Sequence, residues 1–204
     1  MNPLKTIKGT ISAGVVLAIV LALIVALAGN GVRFNVPSFL IWLHVLAGIT
    51  WIGLLYYFNF VQVPALAQAA SDQGGPGGAG ITKYVAPRAL LWFRWGAVFT
   101  WLTGASYLGH TGLLLDAFTL GMRSNGSLQG TFIGVGAWLG TIMLFNVWVF
   151  IWPNQKKVLG LVEATAEQIA QARKAAFTAS RINTVLSIPM LMSMVSLGHA
   201  GFFL

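Results

Sequence analysis

The sequence predicts an all-α integral membrane bundle of about five transmembrane helices. Of its 204 residues, 57% are hydrophobic and only 8% are charged, against about 25% charged in an ordinary soluble domain. Apolar runs of the length that crosses a bilayer as a helix, about 20 residues, recur along the chain with most of the charges between them. This composition excludes a water-soluble globule.

Five segments have the length and apolar character of a spanning helix. The first is uncharged and ends in Ala26-Leu27-Ala28, which resembles a signal-peptide cleavage site. Because the run is longer than the usual apolar region of a signal peptide, about 7–15 residues, we expect a retained helix. The predicted spans are about 11–29, 38–63, 88–109, 128–152 and 182–203. Together they predict a single membrane domain over 1–204.

Lysine and arginine are distributed unevenly between the two sides that these spans define. Ten of the 12 fall on the side of the N-terminus, and Arg33 and Arg123 fall on the other. The positive-inside rule therefore predicts a cytoplasmic N-terminus and an outer C-terminus, in a membrane such as the bacterial inner membrane. The net charge of +8 is explained by topology, so we expect the lipid bilayer and no nucleic acid as partner.

Two connecting segments have their own patterns. The stretch 71–80 is too rich in glycine for regular structure and predicts a loop. The cytoplasmic segment 154–180 has apolar residues at helical spacing, with Thr165 and Gln168 as a candidate capping box. We expect a helix that lies at the surface or continues into span five, where Pro189 is a candidate for a kink.

Span four contains two successive G-x-x-x-G pairs, a spacing that lets helix backbones approach closely. The glycines are Gly130, Gly134, Gly136 and Gly140. Internal packing is the favoured interpretation; a partner chain or a flat cofactor are the alternatives.

All three histidines fall toward the predicted outer side. His44 lies about 9 Å below that surface by the helical rise, His199 lies about 7–8 Å below it, and His110 ends span three. Two imidazoles at matching depth on different helices are what axial ligation of a b-type haem requires. A hydrogen-bonded histidine in helix packing is the alternative for each of them.

The neighbours of His44 suit a flat cofactor. Gly48 and Trp51 follow it one and two turns on along the same helical face. Arg33 and Arg123, on the histidine side, are candidates for the haem propionates, and His110 is the weakest candidate ligand. The expected site therefore consists of His44 and His199 as iron ligands with these residues around them.

Several chemical classes are excluded. The chain has no cysteine, so it has no disulfide, iron–sulfur cluster or covalently attached c-type haem. With four acidic residues and no hydrolase motif, it has neither a carboxylate-rich metal site nor visible hydrolytic machinery.

A second polar set lies toward the cytoplasmic side. Its members are Asn59, Gln62, Arg94, Asn146 and Asn183. Arg94 has no acidic partner in any span, so we expect it to reach the inner interface bonded to the amides. An anion or quinone-headgroup site is the alternative.

Four blocks together resemble the membrane domain of the bacterial membrane-bound urate oxidases (urate hydroxylases). They run in order over spans two to five: His44-Val-Leu-Ala-Gly-Ile-Thr-Trp51-Ile-Gly53, Trp92-Phe-Arg94-Trp95 with Thr100-Trp101-Leu-Thr-Gly104, Gly140-Thr-Ile-Met143 with Trp152-Pro-Asn-Gln-Lys-Lys157, and Asn183-Thr-Val-Leu-Ser-Ile-Pro-Met190. The His44 block alone also resembles membrane protoporphyrinogen oxidases and copper-resistance proteins.

The resemblance implies a membrane redox protein with membrane histidines at His44 and His199. Family members usually continue into a cytochrome c domain, which this chain is expected to lack, and carry a further histidine near Gly134. We therefore expect a b-haem electron-transfer protein that works with a separate membrane or outer-side redox partner, and urate oxidation itself becomes doubtful. The alternative is a haem-free accessory subunit of a larger membrane complex.

Overall fold

The computed structural model describes residues 2–29 and 32–199, and of residues 197–199 only the backbone. These residues form helices and connecting turns, with no strand among them. The chain divides into two compact units, Met1–Val36 and Pro37–Leu204, which are described separately. The all-α class is confirmed, and the single domain over 1–204 stays a prediction.

The first unit contains helix α1, Ile7–Ala28. Thr6 caps its N-terminus, because the hydroxyl oxygen accepts a hydrogen bond from the Gly9 amide at 3.0 Å. Apolar side chains surround the helix, as expected for a segment that faces lipid. The first predicted span is thus a helix, and Arg33 is an exposed residue that follows it.

The second unit contains five helices, defined here in chain order. They are α2 (Val36–Ser71), α3 (Ala86–His110), the short α4 (Leu114–Phe118), α5 (Leu128–Val158) and α6 (Ala166–His199). Within the described residues, α1, α2 and α5 are long and apolar enough to cross a membrane. Helices α3 and α6 have 25 and 34 residues but contain more polar side chains, so their crossing stays a prediction, as does the orientation.

A π-helical turn occurs at each of three prolines. The turns Tyr57–Gln62, Ile81–Val85 and Asn146–Ile151 come immediately before the pairs Val63-Pro64, Ala86-Pro87 and Trp152-Pro153. In each case the residue before proline donates its N–H to the carbonyl five residues back. A proline ring clashes with the carbonyl four residues back in an α-helix, and the wider π turn relieves that crowding.

The predicted segment 154–180 is interrupted, which corrects the expectation of one continuous helix. Helix α5 ends at Val158, and Gly160 follows in the left-handed region with φ +71°. The Gly160 N–H bonds to the Lys157 carbonyl and the Leu161 N–H bonds to the Lys156 carbonyl. This is the Schellman arrangement, which ends helices at glycine.

Helix α6 begins at the predicted capping box. The Thr165 N–H donates to Oε1 of Gln168 at 2.9 Å, and the Gln168 N–H donates to Oγ1 of Thr165 at 3.2 Å. The helix then continues into the fifth predicted span and includes Pro189. From Ala166 onward, one helix thus joins the second part of segment 154–180 to the residues of the fifth predicted span, and its position relative to the membrane stays a prediction.

The core of the second unit lies between α2, α3, α5 and α6. Its largest fully buried apolar side chains are Trp51, Leu55, Phe93, Met143 and Val147. The exposed surface carries many large apolar side chains, which suits a bundle surrounded by lipid.

Candidate functional site: the His44 imidazole

His44 lies on α2 and its side chain is half-buried. Its Nδ1 is 2.8 Å from the backbone carbonyl oxygen of Thr100 on α3. A carbonyl oxygen only accepts hydrogen bonds, so Nδ1 carries the proton and donates it. In the neutral ring, Nε2 is therefore unprotonated, and its lone pair points away from the Thr100 carbonyl.

This arrangement is the one that metal-binding histidines commonly adopt. A backbone carbonyl that accepts from one ring nitrogen fixes the tautomer and the ring plane, and makes the other nitrogen a better ligand. The sequence predicts a suitable depth for His44, and the structure shows that Nδ1 is the bonded nitrogen, with no partner for Nε2 among the described residues.

The ring fits against α3 because residue 104 is glycine. A Cβ atom at Gly104 would lie 2.9 Å from both Nδ1 and Cε1 of His44. Real Cβ atoms essentially never approach another atom so closely, so any side chain at this position would displace the imidazole.

Gly104 belongs to a line of small residues on α3 that the sequence analysis missed. Gly96, Thr100 and Gly104 recur every fourth residue and face α2. A Cβ at Gly96 would lie 3.3 Å from the backbone nitrogen of Trp51, and one at Gly48 would lie 3.8 Å from Cγ2 of Thr100. The small-x-x-x-small spacing could have revealed this helix pair.

The structure places the other predicted site residues as follows. Gly48 faces Thr100, and Trp51 is 1% exposed in the core, where its indole Nε1 has no hydrogen-bond partner in the described part of the chain. His110 is exposed at the C-terminal end of α3. His199 ends α6, and its side chain lies outside the described residues. The pairing of His44 with His199 therefore stays a prediction.

The two arginines proposed for the propionates are both exposed. Arg123 lies in a short turn, Met122–Ser124, after α4. Asp116 holds this turn, because its carboxylate accepts from the Ser124 amide at 3.1 Å and from the Ser124 hydroxyl at 2.7 Å. Arg33 lies in the first unit, so its part in a site with His44 stays a prediction.

The polar set that is predicted to lie toward the cytoplasmic side is arranged differently from the expectation. The Cζ atom of Arg94 lies 3.4 Å from the centroid of the Trp152 ring, a cation–π contact. Two of the four amides instead bond to each other, and one of these also bonds to the backbone: Asn146 donates to Asn183 at 2.8 Å, and Asn183 donates to the Met143 carbonyl at 3.0 Å. An aromatic ring, rather than an amide, accompanies the arginine.

Three of the four glycines of span four pack inside the unit, which is the favoured interpretation for these three. Gly130 and Gly134 face the short helix α4, at Asp116 and at the carbonyl of Ala117, and Gly136 faces Met194 of α6. Gly140 has open space around its Cβ position.

Among the described residues, no group of three or more His, Cys, Asp and Glu side chains could hold a metal ion. A bis-histidine haem needs only one histidine from each of two helices. The fit of the site therefore depends on His44, whose bonded Nδ1 and free Nε2 meet the requirement for an axial ligand.

The C-terminal part of the chain is similar to a known family. Residues 110–203 match the family described as urate oxidase N-terminal. This region is similar to the urate oxidase N-terminal family. The match includes the Gly140–Lys157 and Asn183–Met190 blocks and confirms the resemblance there, whereas the His44 block and the Trp92–Gly104 block precede it. Comparisons with curated proteins and with solved structures gave no match.

Proposed function

We propose that the protein is a membrane b-type haem protein for electron transfer, with His44 and His199 as axial ligands. The observation that supports the proposal best is the hydrogen bond from Nδ1 of His44 to the Thr100 carbonyl, because it leaves Nε2 free to bind iron. The similarity of residues 110–203 to the urate oxidase N-terminal family supports a redox role. Bound haem would supply one-electron exchange.

The residues around His44 have defined tasks in this proposal. The Thr100 carbonyl holds the proton on Nδ1 and fixes the plane of the ring, while Gly104 leaves the space in which the ring lies. His44 is only half-buried, and the proposal requires that the Nε2 edge of the ring is the part that a ligand can reach. Helices α2 and α3 thus present one preoriented nitrogen donor.

A separate protein would complete the electron path. The chain has no cysteine to attach a c-type haem, so oxidation of urate or another small organic reductant would need an acceptor on a partner. We place that partner on the histidine side of the membrane, which the distribution of lysine and arginine predicts to be the outer side.

The test is a reduced-minus-oxidised visible spectrum of the full chain purified in detergent from cells supplied with haem. We expect a low-spin b-type spectrum in the wild type, and loss of the haem or conversion to high spin in His44→Ala and His199→Ala. His110→Ala is the matched control, since it removes an exposed histidine, and it should keep the wild-type spectrum. Imidazole added to His44→Ala should restore part of the low-spin signal.

A colourless wild-type protein would overturn the proposal and leave the haem-free accessory subunit as the interpretation. A low-spin spectrum that persists in both His44→Ala and His199→Ala would overturn the assignment of the ligands.

A further inference from the structure

Arg94 belongs to a cluster of cations and indole rings between α3 and α5 that the proposed function does not use. Its guanidinium lies over the Trp152 ring, with Cζ 3.4 Å from the centroid, and Nζ of Lys156 lies 6.0 Å from the same centroid. Arg94 comes six residues before Thr100, about 9 Å along α3, and it faces α5, whereas Thr100 faces α2. The cluster is therefore separate from the His44 site.

The guanidinium has donors that nothing in the chain accepts from. Arg94 is half-buried and makes no hydrogen bond in the part of the chain that the structure describes, and among its nitrogens only Nε is fully buried. The Nη atoms therefore keep accessible surface. The Trp152 ring covers a face of the guanidinium, and a cation–π contact leaves the N–H groups in the guanidinium plane free to donate.

No carboxylate balances the two cations. The chain has four acidic residues, and within residues 2–29 and 32–199 none of them forms an ion pair with Arg94 or Lys156. Asp116 holds the turn after α4, and the other acidic residues lie outside α3 and α5. Two positive charges beside one ring, without a negative charge from the protein, attract an anion from outside it.

The surface beside the guanidinium is apolar and exposed. Leu91 and Trp95 flank Arg94 on α3 and are 47% and 46% exposed. Trp95 packs edge-to-face against Trp148 of α5, with ring centroids 5.7 Å apart. Trp148 lies toward the middle of the predicted fourth span, and Lys156 lies toward the end of α5 that is predicted to be cytoplasmic. The cluster thus has positive charge toward the end of the helices and apolar surface toward the middle of the predicted span.

We infer that this cluster binds the headgroup phosphate of an anionic phospholipid from the leaflet on the predicted cytoplasmic side. The Nη groups of Arg94 donate to the phosphate oxygens, since a guanidinium presents paired N–H donors that match a phosphate. Lys156 adds a second positive charge. An acyl chain lies against Leu91 and Trp95, and this apolar contact is the reason why the anion comes from a lipid and not from solution.

Net charge distinguishes the expected lipid from the common zwitterionic one. Phosphatidylcholine also has a phosphate, but its trimethylammonium group adds a positive charge near Arg94 and Lys156. Phosphatidylglycerol has the same phosphate without that charge, so the two cations should favour it.

Native mass spectrometry of the full chain purified in detergent tests the inference, with phosphatidylglycerol and phosphatidylcholine of the same acyl chains as probes. We expect one phosphatidylglycerol to bind about tenfold tighter than phosphatidylcholine. Arg94→Gln should weaken phosphatidylglycerol about tenfold, because it removes charged hydrogen bonds, and Lys156→Gln should weaken it about fivefold. Arg94→Lys, which keeps the charge without the paired donors, should fall between wild type and Arg94→Gln.

Lys157→Gln is the matched control, because it removes the next positive charge on α5, and it should change either affinity by less than about twofold. The unfolding midpoint without added lipid shows whether each variant is folded, and Lys156→Gln decides if Arg94→Gln is not. The inference is overturned by equal affinity for the two lipids in the wild type or by a preference that survives in both Arg94→Gln and Lys156→Gln. Binding of glycerol 3-phosphate as tight as that of phosphatidylglycerol would overturn the assignment to a lipid.

Discussion

The guanidinium of Arg94 lies over the ring of Trp152, with its Cζ atom 3.4 Å from the ring centroid. The two residues come from different helices, α3 and α5, and Trp148 adds a second ring with its centroid 6.0 Å from the same atom. An arginine within a predicted span is expensive without an acidic partner. Here the negative faces of two indoles supply the electrostatic compensation.

Trp152→Leu should therefore destabilise the protein by about 2 kcal/mol or more, because it removes both the apolar packing and a partly desolvated cation–π contact. Trp152→Phe keeps a ring and should lose roughly half as much. Thermal unfolding in detergent measures the difference. Trp92→Leu is the control, since Trp92 is 55% exposed on the same helix as Arg94, and it should stay within about 0.5 kcal/mol of wild type.

The hydrogen bond between Asn146 and Asn183 should appear as a coupling energy. A double-mutant cycle with Asn146→Ala and Asn183→Ala should give a coupling energy of about 0.6 kcal/mol, the average for polar pairs inside a membrane protein, and at most about 1.7 kcal/mol. Asn183→Ala alone should cost more than Asn146→Ala, because Asn183 is fully buried and also bonds to the Met143 carbonyl. Additive single effects would contradict the direct bond.

Replacement of two glycines of α5 by alanine should have different effects on the stability of the protein. Gly134→Ala should destabilise the protein, because the new Cβ meets the Ala117 carbonyl and Leu120, and backbone gives way at a high cost. Gly140→Ala meets open space and should be neutral or stabilise by about 0.5–1 kcal/mol through the better helix propensity of alanine. The measurement is the unfolding midpoint of each variant compared with that of the wild type. Equal shifts in the two variants would contradict the packing described for Gly134.

Gly104→Ala should displace the His44 ring and reduce haem content without unfolding the bundle. The readouts are the haem-to-protein ratio and the low-spin fraction of the spectrum. Gly53→Ala, with no atom within 4 Å of its Cβ position, provides the comparison and should keep both values. A Gly104→Ala protein with wild-type haem content would show that the ring does not need this space.

The sequence was sufficient for the helices and several of their ends. Apolar runs predicted the spans, and the Thr165–Gln168 capping box was confirmed because its signal is local. The helix end at Gly160 was not predicted, because the apolar residues on both sides of this glycine continue at helical spacing. Local signals therefore predicted the start of α6, but they did not predict the continuation of α2 to Ser71 or the short helix α4.

The site was less predictable because it depends on contacts between distant residues. Nothing near His44 in the sequence indicates that the carbonyl of Thr100, 56 residues away, accepts from its Nδ1. Likewise, Arg94 was expected among amides, yet a tryptophan brought close by the path of α5 accompanies it. From the sequence, a polar residue is the expected partner of a charged or polar side chain. The packing of the helices decides which residues actually come into contact with it.

The π turns at Pro64 and Pro153 change which residues share a face on α2 and α5, the two longest apolar helices of the second unit. Each wide turn accommodates about one extra residue, and one residue corresponds to about 100° of rotation. Residues after Tyr57 on α2 therefore leave the angular register set by His44, Gly48 and Trp51. A helical wheel drawn through Val36–Ser71 with uniform spacing would assign the residues after the π turn to the wrong side, and substitutions designed from it would miss their targets by about a quarter turn.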